Sequence, residues 1–95
     1  MASIIPGNAS RLGAAQNVSL TTTSAASTAF GTQTRTVLLV ATVASNIRIS
    51  DGTPTAVTTD TLLPANFPMI FVCTPGQKVA GVTATTATLS VTELV

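Results

Sequence analysis

The sequence predicts an all-β protein: a small β-sandwich or jelly-roll-like barrel with an extended N-terminal arm. Three observations point there. From residue 36 onward, strand-length segments recur about every 9–13 residues with turn signals between them, which is the spacing of a sandwich or barrel. Nineteen of the 95 residues are threonine, the hydrophilic residue that suits the wet face of a strand. No segment of helical length carries apolar residues at helical spacing without breakers.

The elements follow in order. Residues 1–16 show no period, and Ile4, Ile5 and Leu12 are their only large apolar groups. This stretch reads as an arm that orders on a neighbour, leaving 17–95 as the β-domain. Residues 17–24 alternate Val18, Leu20 and Thr22 against Ser19, Thr21 and Thr23, as a half-buried strand does. Residues 24–31 are small and make a weak strand or a loop. Thr34 to Thr42 is the strongest strand, because Val37, Leu38, Leu39 and Val40 are apolar on both faces. Its second face is covered either by the same chain or by another. In Asn46 to Ser50, Ile47 and Ile49 point inward and Arg48 outward. Asp51-Gly52 signals a tight turn. Thr53-Pro54 then delays the next strand, since proline cannot donate to a ladder. Thr58 to Leu63 and Met69 to Thr74 are short strands separated by Pro64, Asn66 and Pro68. Pro75-Gly76 fits the centre of a type II turn and is expected to close a hairpin between Met69–Thr74 and Lys78–Val82. Gly81 inside that second strand marks a bulge or a close contact. Ala87 to Leu94 is the last strand, with Leu89 and Val91 on one face and Thr88, Ser90 and Thr92 on the other.

Composition narrows the chemistry. The charged residues are Arg11, Arg35, Arg48, Lys78, Asp51, Asp60 and Glu93, 7% of the chain and a net charge of +1, against about 25% charged in ordinary domains. There is no basic cluster to displace counterions from phosphates, and Tyr and Trp are absent, so nucleic-acid binding is not expected. Without histidine, general acid–base work at neutral pH lacks its usual agent, and no serine or threonine has a histidine base to activate it. No enzyme activity is expected. One cysteine and no histidine cannot make a zinc site within one chain, and the acidic spacing matches no calcium loop. No metal and no cofactor are expected. Cys73 lies in an apolar run and reads as a buried thiol. No apolar run is longer than that of Val37 to Ala41, far short of the roughly 20 residues of a membrane helix. The N-terminus has no secretory pattern, so synthesis in a cytoplasm is expected. Two readings of the charge poverty stand side by side: a neutral surface of hydroxyls, or a surface that meets other subunits, since interface cores are depleted in charge.

The second half carries a resemblance. Pro54-Thr55-Ala56-Val57-Thr58-Thr59-Asp60-Thr61-Leu62-Leu63-Pro64-Ala65, Pro75-Gly76-Gln77-Lys78-Val79-Ala80 and Ala87-Thr88-Leu89-Ser90-Val91-Thr92-Glu93-Leu94 resemble segments of small structural proteins of tailed bacteriophages. Residues 1–33 lie outside it, and its motifs are turn and strand pieces, so no functional residue follows from it. The resemblance implies a virion component of the capsid decoration or cement type, located on the capsid surface. It implies a homo-oligomer, expected as a trimer, that binds the major capsid protein. The residues expected to make assembly contacts are Ile4, Ile5, Arg11 and Leu12. Two alternatives remain open: a tail or fibre module that recognises a host-surface glycan, and a low-copy head–tail connector component. The apolar double face of Val37–Val40 is the first place to look for a contact within the domain.

Overall fold

The computed structural model describes residues 12–94 and contains eight strands. They are β1 (Leu12–Leu20), β2 (Ala25–Ala26), β3 (Thr36–Ala41), β4 (Ser45–Ser50), β5 (Thr61–Leu63), β6 (Met69–Val72), β7 (Lys78–Thr83) and β8 (Ala87–Leu94). Two four-stranded sheets stack as a sandwich, the first in the order β1-β8-β3-β6 and the second in the order β2-β7-β4-β5. Every strand pair is antiparallel. The pairs β1–β8, β2–β7, β3–β6 and β4–β5 nest like one long hairpin, folded back at the β4–β5 end and rolled into two layers. That is the eight-strand jelly roll, one of the two forms expected.

The alternation read from the sequence sets the core. Val18 and Leu20 of β1, Val37 and Leu39 of β3, Ile47 of β4, Val79 of β7, and Leu89 and Val91 of β8 all point between the sheets and are buried. Phe30, Leu63 and Cys73 join them from strand ends and loops. Gly81 is a close contact, not a bulge. It pairs with Ile47 and Ala25 in unbroken register, and a Cβ there would lie 2.9 Å from both methyl groups of Leu20.

Three expectations are corrected. The first strand begins at Leu12, not Asn17, because Gln16 and Ala15 pair with Val91 and Thr92 of β8. The extra residue between Leu12 and Ala15 is absorbed by a register shift. Gly13-Ala14-Ala15 carries no strand signal of its own; the neighbouring strand imposes the conformation. The rest of the expected arm, residues 1–11, lies outside the described residues. Second, Pro75-Gly76 does form a turn, closed by the Gln77 N–H on the Thr74 carbonyl at 3.1 Å with Gly76 at φ +85°. It does not close a hairpin, because β6 belongs to the first sheet and β7 to the second. A type II turn twists against the strands of a two-residue hairpin; here it carries the chain across the sandwich. Third, Asp51-Gly52 has positive φ only at Gly52, whereas the favoured hairpin turn needs it at both positions. The chain instead runs out through a long loop and returns as β5 at Thr61, the delay that Pro54 implies.

Candidate functional site

The two outer faces of the sandwich differ. On the second sheet, Ala80 and Val82 of β7 and Ala26 of β2 point outward, and Ala56 of the 51–60 loop packs on them. Pro54 in the same loop is buried too. The loop is pinned by the Ala56 N–H on the Ser24 hydroxyl at 2.8 Å. It is closed by the Val57 N–H on Asp60 Oδ2 at 2.9 Å and the Asp60 N–H on the Val57 carbonyl at 3.0 Å. Asn46 Nδ2 donates to the Asp60 carbonyl at 3.0 Å, and Arg48 reaches Asp60 Oδ1 at 3.4 Å. Asp60 is therefore the brace of a loop that covers its own sheet.

No described segment covers the first sheet in this way. Leu38 of β3 pairs with Ile70 of β6, and Thr36 with Val72, so these side chains share the outward face with Val40. Leu38 and Val40 are half-buried, while Ile70 is 38% and Val72 82% exposed. Across β8 and β1 the same face turns polar through Ser90, Thr92, Asn17 and Ser19. The result is an apolar stripe confined to the β3–β6 side. The sequence placed a double apolar face on Val37–Val40; the stripe is the outer half of it, extended onto β6. The signal for β6 was present in Met69-Ile70-Phe71-Val72, where both parities are apolar, and no described segment covers its outer face.

Among the described residues, strand β6 is also the free edge of its sheet. The Cys73 N–H donates to the Arg35 carbonyl at 2.8 Å. Pairing in an antiparallel ladder alternates, so Met69, Phe71 and Cys73 direct their backbone groups to β3, and Ile70 and Val72 direct theirs outward. Beside this edge lies an open groove of about 320 Å³, lined by Ile47, Arg48, Ile49, Asp60, Phe71 and Val72 among others. It exists because β5 is three residues long and stops pairing at Ile47. A second hollow of about 420 Å³ at the opposite end of the sandwich is lined by hydroxyls, including Ser19, Thr42, Thr86 and Thr88.

The carboxylates are engaged separately. Asp51 is exposed at its turn. Glu93, on the inward face of β8, is buried and accepts hydrogen bonds from the Gly31 N–H at 3.0 Å and from the Thr34 hydroxyl. Among the described residues no three of His, Cys, Asp and Glu gather where a metal ion could be held. Burial and, secondly, the Glu93 carboxylate push the Cys73 thiol above its ordinary value. Of the three phenylalanines, Phe30 is buried, Phe71 half-buried and Phe67 exposed.

Of the residues expected to make assembly contacts, Ile4, Ile5 and Arg11 lie outside the described residues. Leu12 opens β1 opposite Leu94 and is 73% exposed. It is on the far edge of the first sheet from the stripe, so the structure does not bring the two together. Residues 54–65 form the covering loop and β5, residues 75–80 the crossing turn and the start of β7, and residues 87–94 strand β8. No protein family, curated protein or solved structure matches this chain.

Proposed function

We propose that this protein is a structural component of a bacteriophage virion, one that oligomerises on the capsid and cements or decorates the shell by binding the major capsid protein. The observation that carries the assembly part is the apolar stripe of Leu38, Val40, Ile70 and Val72, which no described segment covers. An apolar edge strand without charge is a template for association unless something covers it. A domain that uses its own loop to cover one apolar face and leaves another open is built for neighbours. The virion part rests on the resemblance of residues 54–94 to phage structural proteins. The jelly roll occurs in capsid, lectin and cupin domains alike, so the fold is compatible with this reading and selects no function by itself.

The glycan-binding alternative draws on less. Sugar sites favour aromatic platforms, and Phe67 is the single well-exposed aromatic side chain. Densitometry of purified particles separates the possibilities. Decoration gives a copy number comparable to that of the major capsid protein, whereas a connector gives a ring's worth. A particle from which this protein is stripped should also lose heat stability. Full stability after stripping removes the cement role.

A further inference from the structure

We infer that strand β6 pairs with β6 of a second copy, antiparallel and about a two-fold axis through Phe71, so that two first sheets become one. The inference rests on the oligomer part of the reading above and not on the capsid part.

On the open edge the outward-directed positions are Pro68, Ile70, Val72 and Thr74. Pro68 has no N–H. The Thr74 N–H already donates to Gln77 Oε1 at 2.8 Å, and the Thr74 carbonyl accepts from the Gln77 N–H at 3.1 Å. The remaining outward groups are the N–H and C=O of Ile70 and Val72, two donors and two acceptors placed symmetrically about Phe71. Turned through half a revolution, this set meets its own complement: Ile70 opposite Val72 of the second copy, Val72 opposite its Ile70, four hydrogen bonds in all. Such a contact is isologous and closes on itself. It also ends where Pro68 and Thr74 end it, so it does not run on into a longer ladder.

The side chains agree with the backbone. Natural edge strands are protected by lysine, internal proline, bulges or a covering segment. β6 has no charge within it, and its register with β3 is unbroken. The nearby Arg48 and Asp60 are already paired with each other, so the charge flanking the edge is locally balanced. On the outer face, the Leu38–Ile70 pair would continue into Val72 of the second copy, and the stripe becomes one apolar band across both molecules. A four-residue edge is smaller than the roughly 1,200–2,000 Å² of a stable interface. The dimer is therefore weak in free solution and strengthened where copies are held close together. A two-fold contact departs from the trimer that the phage resemblance implies.

Sedimentation velocity over about 1 μM to about 1 mM should show a reversible monomer–dimer equilibrium. Hydrogen exchange at the two extremes should show the amides of Ile70 and Val72 protected only at high concentration, and those of Phe71 and Cys73 protected at both. Val72→Pro deletes an outward N–H and leaves the β3 ladder intact; it should weaken dimerisation at least about tenfold, since two hydrogen bonds go. Val72→Lys, which keeps the N–H and changes a largely exposed side chain, should do the same and guards against misfolding of the proline variant. Leu62→Lys, at an exposed apolar site on β5, should leave the dimer unchanged. No association at any concentration, association indifferent to both Val72 variants, or a trimer overturns the inference. Capsid binding by a Val72 variant that stays monomeric would leave the capsid reading standing, because that reading is decided by copy number and stripping.

Discussion

Replacing Gly81 by alanine should change sign between two backgrounds. Gly81 has no positive φ, so alanine fits its backbone, and losing glycine's freedom in a strand favours the variant by roughly 0.5–1 kcal/mol. Against this stands Leu20. Its two methyl carbons would lie 2.9 Å from the new Cβ, where carbon atoms prefer about 3.5–4.0 Å. Leu20 is fully buried and has little room to yield, so the overpacking cost is about 1–3 kcal/mol. The net expectation for Gly81→Ala is a loss of about 1 kcal/mol, or a fall in Tm of roughly 4–8 °C for a domain of this size. Leu20→Ala alone should cost about 2.7–5 kcal/mol as a buried leucine truncation. In that background the alanine at 81 meets a cavity instead of a methyl group. Gly81→Ala should then stabilise by about 0.5–1 kcal/mol. Urea unfolding of the four proteins, compared at constant m, reads the cycle. Additivity within about 0.5 kcal/mol would refute the contact as the reason for glycine here.

Two further outcomes are expected. Glu93→Ala strands the buried Thr34 hydroxyl and leaves the exposed Gly31 N–H to water, and should cost about 1–3 kcal/mol in urea unfolding, with Glu93→Gln, which keeps an acceptor, costing less than half of that; a neutral Glu93→Ala would show the site is wet. For Cys73, the folded thiol holds its proton where the unfolded one has released it. Its contribution to stability is thus full below about pH 8.5 and falls as pH rises through the alkaline range. The urea midpoint should drop there in the parent protein and drop less in Cys73→Ala, and the native thiol should react with a disulfide reagent only on unfolding; equal slopes in the two proteins would count against the burial argument.

What could be read in advance follows from what periodicity reports. Leu89 and Val91 alternate cleanly with Thr88, Ser90 and Thr92, and with Val37 and Leu39 of the doubly apolar run they are the buried centre of the first sheet. The late start of β5 followed from Pro54. Partner choice is a different quantity: nothing local at Met69–Val72 says that it pairs with β3 and not with β7, its neighbour across a tight turn. The hand of the Pro-Gly turn held that information, since a type II turn suits a crossing better than a hairpin. Leu12–Gln16 was illegible because glycine and alanine have no face to alternate; β8 supplies the order. The candidate surface was half legible. The double apolar run in β3 drew attention to the right sheet, but Ile70 and Val72 became exposed only through the edge position of β6, which is a property of topology.

The position of β8 has a consequence for how the molecule comes to be folded. It is the last of the eight strands to be made, yet it lies inside the first sheet, between β1 and β3. On a ribosome, β1 therefore waits through the synthesis of six intervening strands before its ladder exists, and β3 has only β6 to hold it. The core side chains of both strands stay exposed in the meantime. Contacts this distant in sequence fold slowly, and the waiting chain carries unpaired apolar edges that favour aggregation. Low charge deepens that hazard, since like-charge repulsion between chains is weak. Expression at reduced temperature, or with a chaperone that shields β1 and β3 until Leu94 has emerged, should raise the soluble yield.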